Sequence, residues 1–281
     1  MKIYISTDME GLPGINSWHQ VNDKDPRFLN EYLVETLKWV VDGIKASDHN
    51  SEVDQILICD SHSLGENIPY DFTEYDNRLY LIRGGLRDYY MMAGLDSSFS
   101  TVFFVGYHAG VGTIHGIMDH TYSSASVHEM RINGIRMNET LVNAAFAGEF
   151  GIPVSLVIGD RALVEELKST LKETTLIETK IGLSRFSAIM KPKNVVKQEI
   201  IEGVKSALQK NKMIMPYRIQ VPYKLEIEFN STEMADESML IPGVERIDGR
   251  TVLYGSTSYA SIMKTMLAIV YTARVGTEMG K

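Results

Sequence analysis

Residues 2–11 read Lys2-Ile3-Tyr4-Ile5-Ser6-Thr7-Asp8-Met9-Glu10-Gly11, a short β-branched and aromatic run that ends in two carboxylates. Two more apolar runs along the chain are followed by acidic or histidine side chains. Ile56-Leu57-Ile58-Cys59 leads into Asp60 and His62, and Val102-Phe103-Phe104-Val105 is soon followed by His108. Runs of this length and composition predict buried strands, and their repetition predicts a mostly parallel sheet.

The segments that surround these runs indicate that helices alternate with the strands. Leu33, Leu37, Val40 and Ile44 recur at helical spacing between the first two runs and predict a crossover helix. The predicted strands cover residues 2–7, 54–59, 79–82, 101–105 and 153–158. The predicted fold class is therefore α/β, with a mostly parallel sheet flanked by helices.

The pattern changes towards the carboxyl end of the chain. Asn133-Gly134 lies at the centre of an alternating stretch over 127–137, which predicts a hairpin, and a helix is expected to begin near Asn138. Beyond residue 180 we expect a helix with Val196, Ile200, Val204 and Leu208 on one stripe, a strand within 217–229, and a closing helix marked by Tyr259, Met263, Met266, Leu267 and Val270. We therefore predict an α/β domain over 1–180 and a smaller α+β C-terminal domain over 181–281.

Composition excludes several classes of function. Lys and Arg number 28 against 36 Asp and Glu, a net charge of −8, which disfavours nucleic acid and anionic membranes as partners. The single cysteine, Cys59, cannot form an intramolecular disulfide or build a thiolate zinc site. We find no signal-peptide pattern, and the longest apolar segment, residues 262–271, is interrupted by Lys264 and too short to span a bilayer. We expect a cytoplasmic protein.

Metal-capable side chains follow three of the predicted strands. Asp8 and Glu10, then His62, then His108 would meet at the carboxyl ends of parallel strands, where open α/β sheets bind their ligands. Any one of these residues alone is better explained as a turn former, but three strand ends together favour a site. Neighbouring carboxylates repel each other unless a cation or a proton intervenes. Carboxylate and imidazole without thiolate suit zinc, manganese, iron or cobalt, and the sequence does not choose among them.

A glycine-rich stretch, residues 106–120, contains His108, His115 and His120. It matches neither common phosphate-binding glycine pattern, and a flexible loop that folds over an active site is an equally good interpretation.

Taken together, these motifs resemble those of peptidase family M55, the D-aminopeptidases of the DppA type. The resemblance rests on Ser6-Thr7-Asp8-Met9-Glu10-Gly11, Asp60-Ser61-His62-Ser63, Gly106-Tyr107-His108-Ala109, Met118-Asp119-His120, Asn138-Glu139-Thr140-Leu141-Val142-Asn143-Ala144, Ser184-Arg185-Phe186-Ser187-Ala188 and Pro242-Gly243. It spans nearly the whole chain.

The resemblance implies a cytoplasmic enzyme with two zinc ions per chain. Asp8 would bridge the two ions, and Glu10, His62, His108 and Glu139 would complete the ligand set. His120 would be the catalytic residue, as an acid, a base or a nucleophile. The resemblance also implies a homo-oligomer, in the form of a ring-shaped decamer. From the residues alone, Glu139 is simply an acidic side chain at a helix start, where the helix dipole favours one.

The predicted function is hydrolysis of the N-terminal, D-configured residue of a short peptide by water activated between two metal ions. A dinuclear metallo-phosphoesterase would use the same cations to hold phosphate oxygens, although no arginine cluster accompanies the motifs. A metal-stabilised peptide-binding protein without catalysis is the second alternative.

Overall fold

The computed structural model describes residues 1–22 and 29–279. The strands are β1 (Lys2–Thr7), β2 (Gln55–Asp60), β3 (Leu79–Ile82), β4 (Thr101–Tyr107), β5 (Val127–Ile132), β6 (Ile135–Arg136), β7 (Val154–Gly159), β8 (Thr175–Glu178), β9 (Lys180–Ser184), β10 (Ser187–Met190), β11 (Tyr223–Phe229), β12 (Val244–Arg246) and β13 (Thr251–Ser256). The α-helices are α1 (Trp18–Asn22), α2 (Glu35–Lys45), α3 (Glu139–Glu149), α4 (Arg161–Leu167), α5 (Lys193–Lys210), α6 (Thr232–Ser238) and α7 (Tyr259–Met279). A π-helical segment, Leu29–Val34, leads into α2.

A parallel sheet of six described strands organises the fold, in the order β3-β2-β1-β4-β7-β8. The chain winds outward from β1 to β3 on one side and from β4 to β8 on the other. The order therefore reverses between β1 and β4, which pair directly. A crevice opens beyond the carboxyl ends of the strands at such a reversal, so the topology alone places a binding site there.

Helices cover one face of this sheet. The buried residues Leu37, Val40 and Ile44 of α2 and Val196, Ile200 and Val204 of α5 pack with the sheet residues Ile3, Ile5, Phe103 and Ile158 in one apolar core. The apolar stripes predicted for both helices are thus the faces that they bury, and hydrophobic burial holds the two helices against the sheet.

A second core lies on the opposite face of the parallel sheet. It joins α3 and α7 to an antiparallel sheet in which the described strands have the order β12-β13-β11-β5-β6. The hairpin predicted at Asn133-Gly134 is formed by β5 and β6. Tyr259, at the start of α7, donates a hydrogen bond to the carbonyl oxygen of Val142 in α3 (3.0 Å), which ties the last helix to the site-bearing helix.

The predicted fold class is confirmed, and the predicted strands lie within two residues of those observed. The boundary between 180 and 181 stays a prediction. The antiparallel sheet combines β5 and β6 with β11, and α5 packs on the parallel sheet, so segments on both sides of that boundary contribute to each layer. Among the described helices, none has both the length and the apolar character needed to cross a membrane.

Candidate metal centre

The carboxyl ends of β1, β2 and β4 bring three of the sequence motifs together. Asp8 and Glu10 follow β1, His62 follows β2 and His108 follows β4, and these strands are neighbours in the sheet. Glu139 reaches the same place from the first turn of α3. Asn138 fixes that helix start, because its side-chain oxygen accepts a hydrogen bond from Leu141 N (2.8 Å).

The two carboxylate oxygens of Asp8 face different partners. Oδ1 lies 3.1 Å from Nδ1 of His62, and the same nitrogen lies 3.2 Å from Oε2 of Glu10. Oδ2 lies 3.4 Å from Nε2 of His108, which is 3.6 Å from Oε1 of Glu139. Asp8 therefore stands between two sets of potential ligands, His62 with Glu10 and His108 with Glu139.

Buried polar atoms at this place lack hydrogen-bond partners. Among the described residues they are Oδ2 of Asp8, Oε2 of Glu10, Nε2 of His62 and Nε2 of His108. An unsatisfied buried polar atom destabilises a protein by about 1–3 kcal/mol. Asp8, Glu10 and His108 offer ligand atoms within 4.8 Å of one another, so their unsatisfied atoms indicate that something else completes their coordination. Carboxylate oxygens with imidazole nitrogens suit a divalent cation such as zinc. The residues present therefore fit a metal centre.

Hydrogen bonds orient two of the imidazole rings towards the centre. Nδ1 of His108 donates to the carbonyl oxygen of Ala109 (2.9 Å), and Nδ1 of His120 donates to that of Met118 (2.8 Å). Each ring then points its Nε2 towards the carboxylates. Metal-binding histidines characteristically carry such a second hydrogen bond, because it fixes the ring and its tautomer.

The charges of the centre perturb one another strongly. Burial and the neighbouring carboxylate of Glu10 raise the pKa of Asp8 to about 7. Burial disfavours the charged forms of His62 and His108, but the surrounding carboxylates outweigh it and raise the pKa of both rings well above the ordinary value. Without a cation, protons must compensate the clustered negative charge. A cation bound among these residues would compensate it instead.

His120 lies in the loop after β4 and belongs to the same cluster. Its ring stacks on that of His108 with 4.2 Å between centroids, and its Nε2 lies 3.7 Å from Oε1 of Glu139. Burial and the adjacent His108 lower the pKa of His120, so its imidazole is neutral near pH 7. His120, His108 and Glu139 form one group that could hold an ion, and Asp8, Glu10 and His108 form another. The structure thus brings all six residues named from the sequence together.

The hairpin of β9 and β10 supports the His120 loop from outside. The carbonyl oxygen of Leu183 accepts a hydrogen bond from His115 Nδ1 (3.0 Å), and that of Arg185 accepts one from Met118 N (2.8 Å). The Arg185 side chain also forms an ion pair with Asp119 (3.1 Å). The motif Ser184-Arg185-Phe186-Ser187-Ala188 therefore forms the end of a hairpin that holds the loop carrying His120.

A cavity of about 560 Å³ opens in front of the centre. Its lining includes Trp18, Tyr90, Tyr122 and Arg274, none of which the sequence motifs identified. Tyr90 belongs to the Tyr89-Tyr90-Met91-Met92 segment, whose methionines are buried in the core. Aromatic residues are so common in cores that no local signal marks these as cavity residues.

Asp60 has a turn role, because its carboxylate accepts hydrogen bonds from the main-chain N–H groups of Asn67 and Ile68 (2.6 and 2.8 Å).

A buried carboxylate and imidazole cluster, open to a cavity at the reversal point of a parallel sheet, is typical of metal-dependent hydrolases of the α/β class. Comparison with known proteins narrows the class. The family model of peptidase family M55, described as D-aminopeptidase, matches residues 1–268, and the chain belongs to this family. It is a peptide hydrolase.

Relatives match over nearly the whole chain. The chain is 28% identical to a D-aminopeptidase of Bacillus subtilis (strain 168) over 279 residues, which are 99% of this chain and 97% of that protein. Its fold matches that of the Zn-dependent D-aminopeptidase DppA from Bacillus subtilis, described as a self-compartmentalizing protease, with a TM-score of 0.89, 27% identity and 98% of both chains covered. Family membership favours peptide hydrolysis over the phosphoesterase and binding-protein alternatives.

Proposed function

We propose that this protein is a zinc-dependent aminopeptidase that removes the N-terminal, D-configured residue from short peptides, with two zinc ions in each chain. The observation that carries the proposal is the position of Asp8, whose two oxygens face separate sets of ligands. The zinc-dependent D-aminopeptidase to which the fold is similar supports the choice of metal.

The six residues have distinct parts in this proposal. Asp8, Glu10, His62, His108 and Glu139 would together hold the two ions. Bound zinc polarises the scissile carbonyl and makes a nearby water more acidic. Glu10 and Glu139 are negatively charged near neutral pH. Burial raises the pKa of each carboxyl, but the neighbouring imidazoles outweigh this effect and hold the pKa below its ordinary value.

His120 would move the proton that hydrolysis requires. Its neutral ring holds a proton on Nδ1, bonded to the carbonyl of Met118, and leaves Nε2 free to accept a proton at the edge of the cavity. A neutral imidazole can take the proton of the attacking water and pass it to the amine that leaves. The same Nε2 could instead attack the scissile carbonyl as a nucleophile.

The cavity suits a short peptide. Trp18, Tyr90 and Tyr122 supply apolar surface, and Arg274, from α7, is the permanently charged cation among the described lining residues.

We also propose a homo-oligomer that acts in the cytoplasm, with a decamer as the expected assembly. The relative described as self-compartmentalizing supports association of many copies. The lone cysteine, Cys59, is buried and fits a reducing compartment. Light scattering on the purified protein should give a mass ten times that of the chain, and a monomer would contradict this part of the proposal.

The experiment that tests the activity offers purified protein three substrates, D-Ala-D-Ala, L-Ala-L-Ala and p-nitrophenyl phosphate, with elemental analysis of bound metal. We expect release of D-alanine and two zinc ions per chain. Release of nitrophenol alone would support the phosphoesterase alternative. Bound metal without turnover of any substrate would support the binding protein, and faster hydrolysis of the L-dipeptide would contradict the proposed stereochemistry.

A further inference from the structure

Lys180, the first residue of β9, is buried completely, with 0% of its surface exposed. Its ammonium group donates hydrogen bonds to three main-chain carbonyl oxygens, those of Glu10, Leu12 (2.7 Å) and Ile15. Lysine is almost never fully buried unless its charge is compensated. Burial lowers the pKa of Lys180 to about 7. The three carbonyl acceptors match the three N–H groups of the ammonium and so favour the charged form, whereas a neutral amine has only two N–H groups to donate.

All three acceptors belong to one turn, residues 10–15. This turn begins at Glu10, two residues after Asp8. Thr179 precedes Lys180 and adds a fourth contact, since its hydroxyl donates to the carbonyl oxygen of Gly11 (2.7 Å). The junction of β8 and β9 therefore holds four carbonyl groups of a segment that is about 170 residues away in the sequence.

The opposite side of the turn rests against β4. The N–H of Gly11 donates to the carbonyl oxygen of Gly106 (2.7 Å), and a Cβ atom at Gly11 would lie 1.7 Å from the carbonyl oxygen of Tyr107. The turn is thus enclosed between β4 on one side and Lys180 on the other. If the ammonium were absent, the carbonyls of Glu10 and Ile15 would lose this donor and that of Leu12 would keep only the long bond from Ile15 N (3.4 Å), so the turn would move to find other donors.

We propose that Lys180 is a positioning residue of the metal centre, which fixes the 10–15 turn so that Glu10 stays beside His62. It does not line the cavity, so it acts through the main chain rather than on the substrate. The inference rests on the proposed zinc centre, because Glu10 is a ligand only if that centre exists.

The test is zinc affinity, measured on metal-stripped protein by competition with a chromophoric chelator. Lys180→Met removes the ammonium and keeps most of the length of the side chain. Thr179→Val removes the fourth contact, together with the contact of the same hydroxyl with the carbonyl oxygen of Gly159 (3.0 Å). Thr174→Val is the matched control, because its buried hydroxyl also donates to a main-chain carbonyl, that of Val154 (2.7 Å), but at the amino end of β8, away from the turn. Circular dichroism of each stripped protein shows whether it is folded.

We expect zinc affinity about tenfold weaker or more in Lys180→Met, a smaller loss in Thr179→Val and no change in Thr174→Val, since residues that orient metal ligands typically contribute 10–100-fold. A purely structural role would lower the melting temperature of all three variants and leave zinc affinity alone, which would overturn the proposal. If Lys180→Met does not fold, Thr179→Val decides, and wild-type affinity in that variant overturns it. A wild-type protein that binds no zinc would overturn the proposed metal centre and this inference together, whereas wild-type binding with unchanged variants overturns this inference alone.

Discussion

Asp8 connects the two halves of the candidate centre, since Oδ1 faces His62 and Oδ2 faces His108. Removing its carboxylate leaves both halves incomplete. We expect Asp8→Ala to lose bound metal and activity together.

His120 reaches the centre from a separate loop, and its Nε2 lies 3.7 Å from Oε1 of Glu139. We expect His120→Ala to abolish turnover and to keep its metal nearly unchanged.

Elemental analysis and turnover of D-Ala-D-Ala, measured on the same preparations, check both expectations. High residual activity in His120→Ala would show that its imidazole does not take part in the reaction. Loss of one of two ions from that variant would show instead that His120 is a ligand, as its grouping with His108 and Glu139 allows.

Asp76 and Arg78 form an ion pair just before β3, and this pair makes stability depend on pH. The guanidinium group donates to both carboxylate oxygens of Asp76 (2.9 and 2.8 Å), and these hydrogen bonds lower the pKa of Asp76 to about 2 from 3.8. A carboxyl with a depressed pKa in the folded state stabilises it above the unfolded pKa and loses that effect as pH falls through the folded pKa.

The contribution should therefore be present at pH 5 and disappear between about pH 4 and 2. We expect it to be about 1–2 kcal/mol, allowing for partial solvent screening. Urea unfolding of wild type and Asp76→Asn at a series of pH values measures it as the difference between the two proteins. A difference that stays constant from pH 5 to pH 2 would contradict this origin.

Single residues differ in how far their roles can be predicted from the sequence. Asp8, Glu10, His62 and His108 were predictable because each follows a strand, and parallel strands end at one edge of a sheet. Glu139 required the family resemblance, since an acidic residue at a helix start has an ordinary electrostatic explanation. Lys180 gave no signal, because its partners are main-chain carbonyls about 170 residues away and any residue type can supply those.

Among the elements, the β9 and β10 hairpin has the most direct connection to chemistry. A Cβ atom at Gly182 would lie 1.8 Å from the carbonyl oxygen of His115, so the hairpin and the His120 loop approach as closely as glycine permits. We expect Gly182→Ala to displace that loop and to lower kcat by about 10–100-fold, since small misplacements of reacting groups cost this much. KM should change less, because Tyr90 and Arg274 line the cavity from outside this loop and hairpin.

Gly255→Ala is the matched control for this substitution. Gly255 also lies in a strand, but the nearest atom to a Cβ there is the carbonyl oxygen of Tyr223 at 4.0 Å, which is ordinary contact. Steady-state kinetics should give near wild-type kcat for Gly255→Ala. If Gly182→Ala also had wild-type kcat, the hairpin would not set the position of His120.

Elements with strong local patterns were the predictable ones. The strands β1 and β3 have the predicted bounds, and the hairpin at Asn133-Gly134 and the helix after Asn138 are where turn and capping chemistry places them. The short strand β8 and the β9 and β10 hairpin were not predicted. Most of their residues are partly or fully exposed, and each strand has only four or five residues, so they are strands because of the partners that they pair with.

At the scale of the whole molecule, the pairing of distant segments was beyond the sequence patterns. β11 pairs with β13 on one side and with β5 on the other, about 95 residues earlier in the chain. Strand periodicity states which face is buried but not which strand is the neighbour. The parallel sheet was predictable as a class because alternation of strands and helices has few solutions, and its strand order places the site at β1 and β4.

This arrangement would make the metal centre a junction of the fold, since its candidate ligands follow β1, β2 and β4 or lie in the first turn of α3. A ligand that binds only the folded chain stabilises it by mass action, by about 2.7 kcal/mol at a concentration one hundred times its dissociation constant. In addition, the buried atoms of Asp8, Glu10 and His108 that lack hydrogen-bond partners would be satisfied only in the loaded protein. We therefore expect a chelator to lower the melting temperature by several degrees and added zinc to restore it, as measured by differential scanning calorimetry. Asp8→Ala is the control, because a protein that holds no zinc should melt at the same temperature with and without chelator. Equal melting temperatures for stripped and zinc-loaded wild type would mean that no cation joins these four elements.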